Sequence, residues 1–422
     1  MKRLMGSVLA LLVVPAVAAP TLKVDRVQQR YPWNGLVDID YTVSGYEAGM
    51  DPNDYTVAFS FEAVTNGVAV SKTPASFGTY ASCDLPRANG SHRVTWDSAA
   101  DGCTGLFATN VSFTGTLYRD ATTAAEAAYM IVDVSSGASS TVYPVRYAAD
   151  AVDSSQFNKD LYKTTRIVFK RVPAGSFWMG QGVVNDSKDR NGNVAPAEGV
   201  LRQYVQLTED YYLALFETTE AQYYQVCGGT ASTAKTPRRN VFCGATIDTV
   251  ISTFYDRLSA RATCRGELVS GFSLPTEAQW ERACRAGTLS SVYTGVNINI
   301  QADTNPIRAK LCACSGNVLE VGSFAPNPWG FYDLYGNVCE WCSDFNADYP
   351  APPEGKSWDE SNPLVDPKGP DTGTIHCIRG GCMNSGWNVI VSGVRQNYPG
   401  TPTTSNHYRN GFRVSLTLTK AN

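Results

Sequence analysis

Histidine is nearly absent from this chain: His92, His376 and His407 are all there are in 422 residues. A metal centre built on a set of imidazoles has no material here. Charge is sparse as well, at 18% of residues, with 35 Lys and Arg against 39 Asp and Glu and a net charge of −4. No long basic run occurs, so the electrostatic footprint of a phosphate-backbone binder is missing and nucleic acid is not an expected partner. Long apolar runs are missing too. The stretch from Leu4 to Val14 falls well short of the ~20 residues needed to cross a bilayer, and nothing later in the chain is longer. What the chain does have is 36 Gly, 22 Pro and 43% hydrophobic residues. That combination describes a folded, turn-rich protein of short strands, not a helical bundle or a disordered segment.

Lys2 and Arg3, the apolar stretch, Pro15 and the small-residue triplet Ala16-Val17-Ala18 have the three-part layout of a secretory signal, with cleavage expected after Ala18. The mature protein is thus expected to be secreted, periplasmic or held at the cell surface. All 12 cysteines follow this segment, an even number bound for an oxidising medium, which points to disulfides. Cys83 and Cys103 are the only two before residue 227 and are expected to pair within an N-terminal domain. The connectivity of the remaining cysteines is open.

Residues 19–150 alternate apolar and polar residues in short bursts, as in Val37-Asp38-Ile39-Asp40-Tyr41-Thr42-Val43 and Tyr55-Thr56-Val57-Ala58-Phe59-Ser60-Phe61, separated by turn clusters such as Asn66-Gly67 and Asp101-Gly102. Period-two alternation with regular turns predicts an all-β sandwich of immunoglobulin or fibronectin type, with Trp33 and Trp96 in its core. Residues 151–164 read as a polar linker. A second domain is expected over 165–422, entered by a strand at Arg166–Val172.

Two helices are predicted in that second domain. One starts at Thr218 as N-cap and runs through Glu220-Ala221-Gln222-Tyr223-Tyr224-Gln225-Val226; the other is Thr276 to Cys284, ended by Gly287. Glu277 and Glu281 lie four apart on the second helix. Such a pair invites an acid/base role, but on an amphipathic helix it reads as a solvated face or a partner of the first-turn dipole.

Six motifs then stand in order: Val172-Pro173-Ala174-Gly175-Ser176-Phe177-Trp178-Met179-Gly180, Glu217-Thr218-Thr219-Glu220-Ala221-Gln222-Tyr223, Leu274-Pro275-Thr276-Glu277-Ala278-Gln279-Trp280-Glu281, Gly330 to Trp341, Arg379-Gly380-Gly381 and Gly411-Phe412-Arg413. In this order they resemble the formylglycine-generating enzyme family, the sulfatase-modifying factor domains, over residues ~165–418. The resemblance implies an α+β, loop-rich fold like that of C-type lectins. It also implies an oxidase chemistry in which copper, held by two cysteine thiolates, and molecular oxygen convert a substrate cysteine to formylglycine. Soft Cu(I) prefers sulfur. The family's two cysteine positions, four and nine residues after the second glycine of the Arg-Gly-Gly motif, are Ser385 and Ile390 here, so copper is not expected.

The resemblance also places a calcium ion on the carboxylates of Asp333 and Glu340 and the carbonyls of Gly336 and Val338, hard oxygen ligands of the kind calcium prefers. Cys377 and Cys382 are five apart, the spacing of the family's copper pair, but an odd separation in a strand points them to opposite faces. Cys339 stands where the family has Trp and Cys382 where it has Ser. The Cys339/Cys342 and Cys377/Cys382 segments are therefore expected to pair across strands as disulfides. Asn384, Trp387, Asn388 and Arg395 would line the family's groove. The function expected is that of an exported binding or structural module with a peptide or glycan ligand; the alternative is an active sulfatase-maturing oxidase.

Overall fold

The computed structural model describes residues 19–31, 34–65, 67–103, 108–120, 122–148, 153–180, 203–290, 292–294, 316–385, 390–395 and 409–418. The expected signal segment, Trp33, Trp387 and Asn388 lie outside them. The chain divides into two compact units: residues 1–78 with 84–120, and residues 79–83 with 121–422.

The N-terminal unit contains two three-stranded antiparallel sheets. One has the order β1 (Thr21–Gln29), β2 (Leu36–Ser44), β5 (Gly90–Asp97); the other has the order β4 (Val68–Lys72), β3 (Tyr55–Thr65), β6 (Ala108–Arg119). The alternation seen in sequence is the burial pattern of β2, where Val37, Ile39, Tyr41 and Val43 are buried and the residues between them are not. Aromatic rings from the two sheets meet: Tyr41 lies 5.3 Å from Phe59, and Trp96 lies 5.5 Å from Phe61 and 6.1 Å from Phe113. Trp96 is core, as expected, with its Nε1 donating to Asp101 Oδ2 at 2.7 Å.

The C-terminal unit is organised by an eight-stranded sheet in the order β14 (Glu267–Leu268), β13 (Ala262–Cys264), β8 (Tyr143–Ala148), β7 (Tyr129–Asp133), β9 (Arg166–Val172), β12 (Tyr211–Ala214), β20 (Ser415–Thr417), β15 (Phe272–Ser273). Both faces of this sheet are covered. Helix α4 (Glu277–Arg285) packs into one apolar cluster with Tyr129, Ile131, Val168 and Leu213; α3 (Thr249–Arg261) packs into the other with Met130, Val132, Phe169 and Tyr212. Two smaller sheets, β10 (Gly175–Met179) with β11 (Gln203–Leu207) and β17 (Leu364–Val365), and β18 (His376–Arg379) with β16 (Cys339–Phe345) and β19 (Asn410–Gly411), carry much of the remaining regular structure among the described residues.

Three expectations need correction. The domain boundary falls at residue 120, not 150, because β7 and β8 pair with β9 and belong to the C-terminal sheet. Residues 151–164 are not a linker over their described part: Phe157 and Tyr162 are fully buried, and α1 (Leu161–Thr164) leads directly into β9. Cys83 is also grouped with the C-terminal unit, buried in one cluster with Tyr129, Phe157 and Tyr162, while Cys103 belongs to the N-terminal unit. The expected Cys83–Cys103 bridge therefore does not fall inside one compact unit.

The predicted helix starts are close to those observed. Thr219, one residue later than expected, caps α2 (Glu220–Cys227), and Thr276 caps α4; each forms a capping box with a Gln three residues on. Helix α3 was not predicted.

Candidate functional site

The region marked by the motifs is organised around buried charges. Glu277 and Glu281 do not face solvent, and this corrects the sequence reading. Arg379, from the Arg-Gly-Gly motif on β18, donates from Nε to Glu277 Oε1 at 2.8 Å and from Nη2 to Glu281 Oε2 at 2.5 Å, with all three side chains buried. Arg285 donates to Glu281 Oε1 at 2.7 Å. Arg395, expected in the groove, instead forms an ion pair with Glu277 and stacks over the Tyr349 ring at 3.7 Å. Burial pushes the Glu277 carboxyl up, but the Arg379 and Arg395 guanidiniums outweigh it and hold the group below the usual carboxylate range. These residues orient α4 and the strand of the Arg-Gly-Gly motif; no reactive group is left over among them.

A second buried cluster lies in the Gly330 to Trp341 motif. Both oxygens of Glu340 are engaged: Arg413 Nε donates to Oε2 at 2.6 Å, Arg413 Nη2 to Oε1 at 2.7 Å, and Trp280 Nε1 to Oε2 at 2.8 Å. Asp333 Oδ2 accepts the Gly322 amide at 2.6 Å. Glu217 accepts the Val338 amide at 3.0 Å and the Asn337 side-chain amide at 2.6 Å. Asp333, Gly336 and Asn337 all have φ between 58° and 89°, so the backbone coils tightly here. Burial raises the Glu217 carboxyl and the charges of Asp333 and Glu340 add to it; burial raises Asp333 as well.

Three buried carboxylates thus stand against Arg413 and, beside Asp333, Lys163. The sequence expectation sets calcium on Asp333, Glu340 and the Gly336 and Val338 carbonyls; both oxygens of Glu340 are already held, by Arg413 and Trp280. Among the described residues no three His, Cys, Asp or Glu side chains are arranged to hold a metal, so backbone carbonyls would be needed.

The two positions expected to correspond to the family's cysteines, Ser385 and Ile390, follow β18. Gly380 has φ +88°, and a Cβ there would meet the Trp280 ring at 3.2 Å, so the turn into the loop needs glycine. Ser385 Oγ accepts the Cys382 amide at 2.9 Å and lies 3.3 Å from Cys382 Sγ. Ile390 is 2% exposed and belongs to the apolar cluster around Trp280 and Leu334. Neither residue carries sulfur. Asn384 is exposed at the edge of the loop, beside Gly316.

The cysteines nearby fall on two sides of the β16/β18 ladder. Cys342 and Cys377 belong to one apolar cluster, Cys339 and Cys382 to the other; Cys382 reaches its cluster through the Gly380-Gly381 turn, not by alternation along a strand. A hydrogen bond from the Cys339 thiol holds the Cys382 thiol down to about 6, against the opposing effect of burial. The Cys342 and Cys377 thiols are pushed up by burial.

Sequence reasoning missed Glu217, Arg379 and Arg413 as members of charged clusters. For the two arginines the signal was available: each is a charged residue in a motif otherwise made of glycine and apolar residues, where a charge has to be paired if it is buried.

Comparison with known proteins adds the following. The family model described as sulfatase-modifying factor enzyme 1-like domain matches residues 156–418. The formylglycine-generating enzyme of Thermomonospora curvata is 35% identical over 122 residues, 26% of this chain and 38% of that protein. The serine/threonine-protein kinase pkn1 of Chlamydia pneumoniae is 34% identical over 116 residues, 27% of this chain and 16% of that protein. The chain therefore spans well under half the length of these curated relatives. Treponema denticola variable protein 1 is similar in structure at 21% identity and a TM-score of 0.42, covering 60% of this chain and 95% of that one. No helix among the described residues is long and apolar enough to cross a membrane. With well over half of its length matched, the chain belongs to the sulfatase-modifying factor enzyme 1-like domain family.

Proposed function

We propose that this is an exported binding module on a formylglycine-generating-enzyme-type domain, one in which the copper chemistry of the family has been lost. The observation that carries this reading is at the two copper positions: Ser385 spends its hydroxyl on the Cys382 amide, and Ile390 is packed into the core. Neither offers the sulfur that Cu(I) prefers. The N-terminal unit is read as an immunoglobulin- or fibronectin-like sandwich and the C-terminal unit as a C-type-lectin-like fold. Calcium is proposed at Asp333, Gly336 and Val338, a carboxylate and two backbone carbonyls offering the hard oxygens it prefers. The ligand is proposed to be a peptide or a glycan, met at the loop that carries Asn384 and Trp387.

The alternative, a sulfatase-maturing oxidase, has one observation in its favour. The Cys382 thiol lies 3.3 Å from Ser385 Oγ, with Cys339 bonded to it, so sulfur is present next to one of the two positions where the family carries it. The deciding experiment is incubation of the purified protein with copper, oxygen and a peptide carrying Cys-x-Pro-x-Arg, read by mass spectrometry. No aldehyde is expected, and its appearance would overturn the binding-module reading. Binding to a peptide or glycan array, lost in Trp387→Ala, is the expected positive result.

A further inference from the structure

We infer that the four cysteines of β16, β18 and the turn after β18 close as two specific disulfides, Cys342 with Cys377 on one face of the ladder and Cys339 with Cys382 on the other. The register supports the first pair. Glu340 faces Arg379 and Trp341 faces Ile378, and the register shifts just beyond; Cys342 and Cys377, the next residue along each strand, share one apolar cluster and act electrostatically on each other. Both are fully buried in the cluster that holds Trp280. The second pair lies beyond the end of the β18 strand. The Gly380-Gly381 turn, with both residues at positive φ, returns the chain so that Cys382 joins Cys339, Trp341 and Ile378 in the opposite cluster. There the two thiols are in hydrogen-bond contact, while Ser385 Oγ holds the Cys382 amide and lies 3.3 Å from its sulfur. Crossed pairs are excluded by the sheet itself, since Cys339 with Cys377 or Cys342 with Cys382 would have to reach through it.

The chemistry is thiol–disulfide exchange with a small-molecule disulfide. The Cys382 thiolate attacks one sulfur of the donor and releases one donor thiolate. The Cys339 sulfur, giving up its proton, then attacks the mixed disulfide at Cys382 and releases the second donor thiol. Two protein thiols are oxidised and one donor disulfide is reduced to two thiols. Cys382 is the better first nucleophile because its thiol ionises near neutral pH, whereas that of Cys377 is raised by burial. The same exchange at the first pair is expected to occur while the chain folds, before those sulfurs are enclosed. Together the two bonds would fix the turn that leads from β18 to Asn384.

The test is linkage mapping of the full-length chain refolded from denaturant with reduced and oxidised glutathione, then denatured in N-ethylmaleimide and digested. Cleavage after Trp341 separates Cys339 from Cys342, and cleavage after Arg379 separates Cys377 from Cys382. The expected result is two linked peptide pairs, Cys339 with Cys382 and Cys342 with Cys377, and no alkylation at any of the four. Alkylation at these sites or crossed pairs would overturn the inference. In Cys339→Ser, Cys382 is expected to become alkylatable while the Cys342–Cys377 linkage remains; Cys382 linked elsewhere would count against it. This mapping is independent of the aldehyde assay, so failure of one leaves the other readable.

Discussion

Arg413 grips Glu340 with two edges of its guanidinium, at 2.6 Å and 2.7 Å, and neither side chain touches solvent. This pair joins the Gly-Phe-Arg motif near the C-terminus to β16 and, through Trp280, to α4. Removing one member of a buried pair leaves the other charge uncompensated, at a cost of ~3–5 kcal/mol. Glu340→Gln is expected to lose about that much in urea denaturation, and the double variant Glu340→Gln with Arg413→Met should recover part of it. A single variant as stable as the parent would show that the pair does not hold the motifs together.

The capping boxes offer a smaller test. Thr276 Oγ1 accepts the Gln279 amide at 3.1 Å, and Gln279 Oε1 accepts the Thr276 amide at 3.0 Å. Thr276→Ala should cost about 1 kcal/mol, and Thr276→Ser much less. Thr219→Ala should cost more than Thr276→Ala, because Thr219 Oγ1 also donates to the Lys163 carbonyl at 2.7 Å. Thermal melts of the three variants would rank them.

Asp344 makes stability depend on pH. Burial, and then the charge of Glu277, raise its carboxyl to about 7 from an ordinary 3.8. Above pH 3.8 the unfolded chain releases this proton while the folded chain keeps it. The folded state therefore binds more protons across this window, and stability falls as pH rises from about 4 to about 7. Asp344→Asn should flatten that slope. Parallel stability curves for parent and variant would rule out Asp344 as the source.

Calcium should raise the melting temperature, and a chelator should reverse the effect. At a free concentration 100 times the dissociation constant the gain would be ~2.7 kcal/mol. Asp333→Asn is expected to abolish the response without removing the Arg413–Glu340 pair. A parent protein indifferent to calcium and chelator would show that Arg413 and Lys163 alone neutralise the cluster.

Ile390 separates a packed position from a groove position. If it is core, Ile390→Ala costs ~2–5 kcal/mol. Ser385→Ala, which removes only a hydroxyl at the edge of the loop, should cost less. A silent Ile390→Ala in denaturant titration would mean that the side chain lies in an open cleft.

Much of this was legible in the sequence, for physical reasons that differ by element. The strand at Arg166–Val172 and the helix capped by Thr276 were found because periodicity and capping chemistry are local. Helix α3 was missed although Ile251, Phe254 and Leu258 repeat at helical spacing and Asp248 accepts the Val250 amide at its start. Its polar residues are mixed among β-branched ones, which blurs the pattern. The domain boundary was missed because Tyr129-Met130-Ile131-Val132 is buried on both faces and follows a run of sandwich strands without a break in composition. Glu277 and Glu281 were misread because their partner Arg379 is about a hundred residues away, and helix periodicity says nothing about what arrives from that distance.

Strand β9 lies between β7 and β12, and the family match begins at residue 156, after β7 and β8 have been made. A recombinant fragment trimmed to the recognised domain would leave the β7-facing edge of Arg166–Val172 unsatisfied and strip cover from Ile167 and Phe169. Such a fragment is expected to self-associate by edge pairing. Any shortened version meant to stay monomeric has to begin near Ala121, so the working unit of this domain is longer at its front than its family likeness suggests.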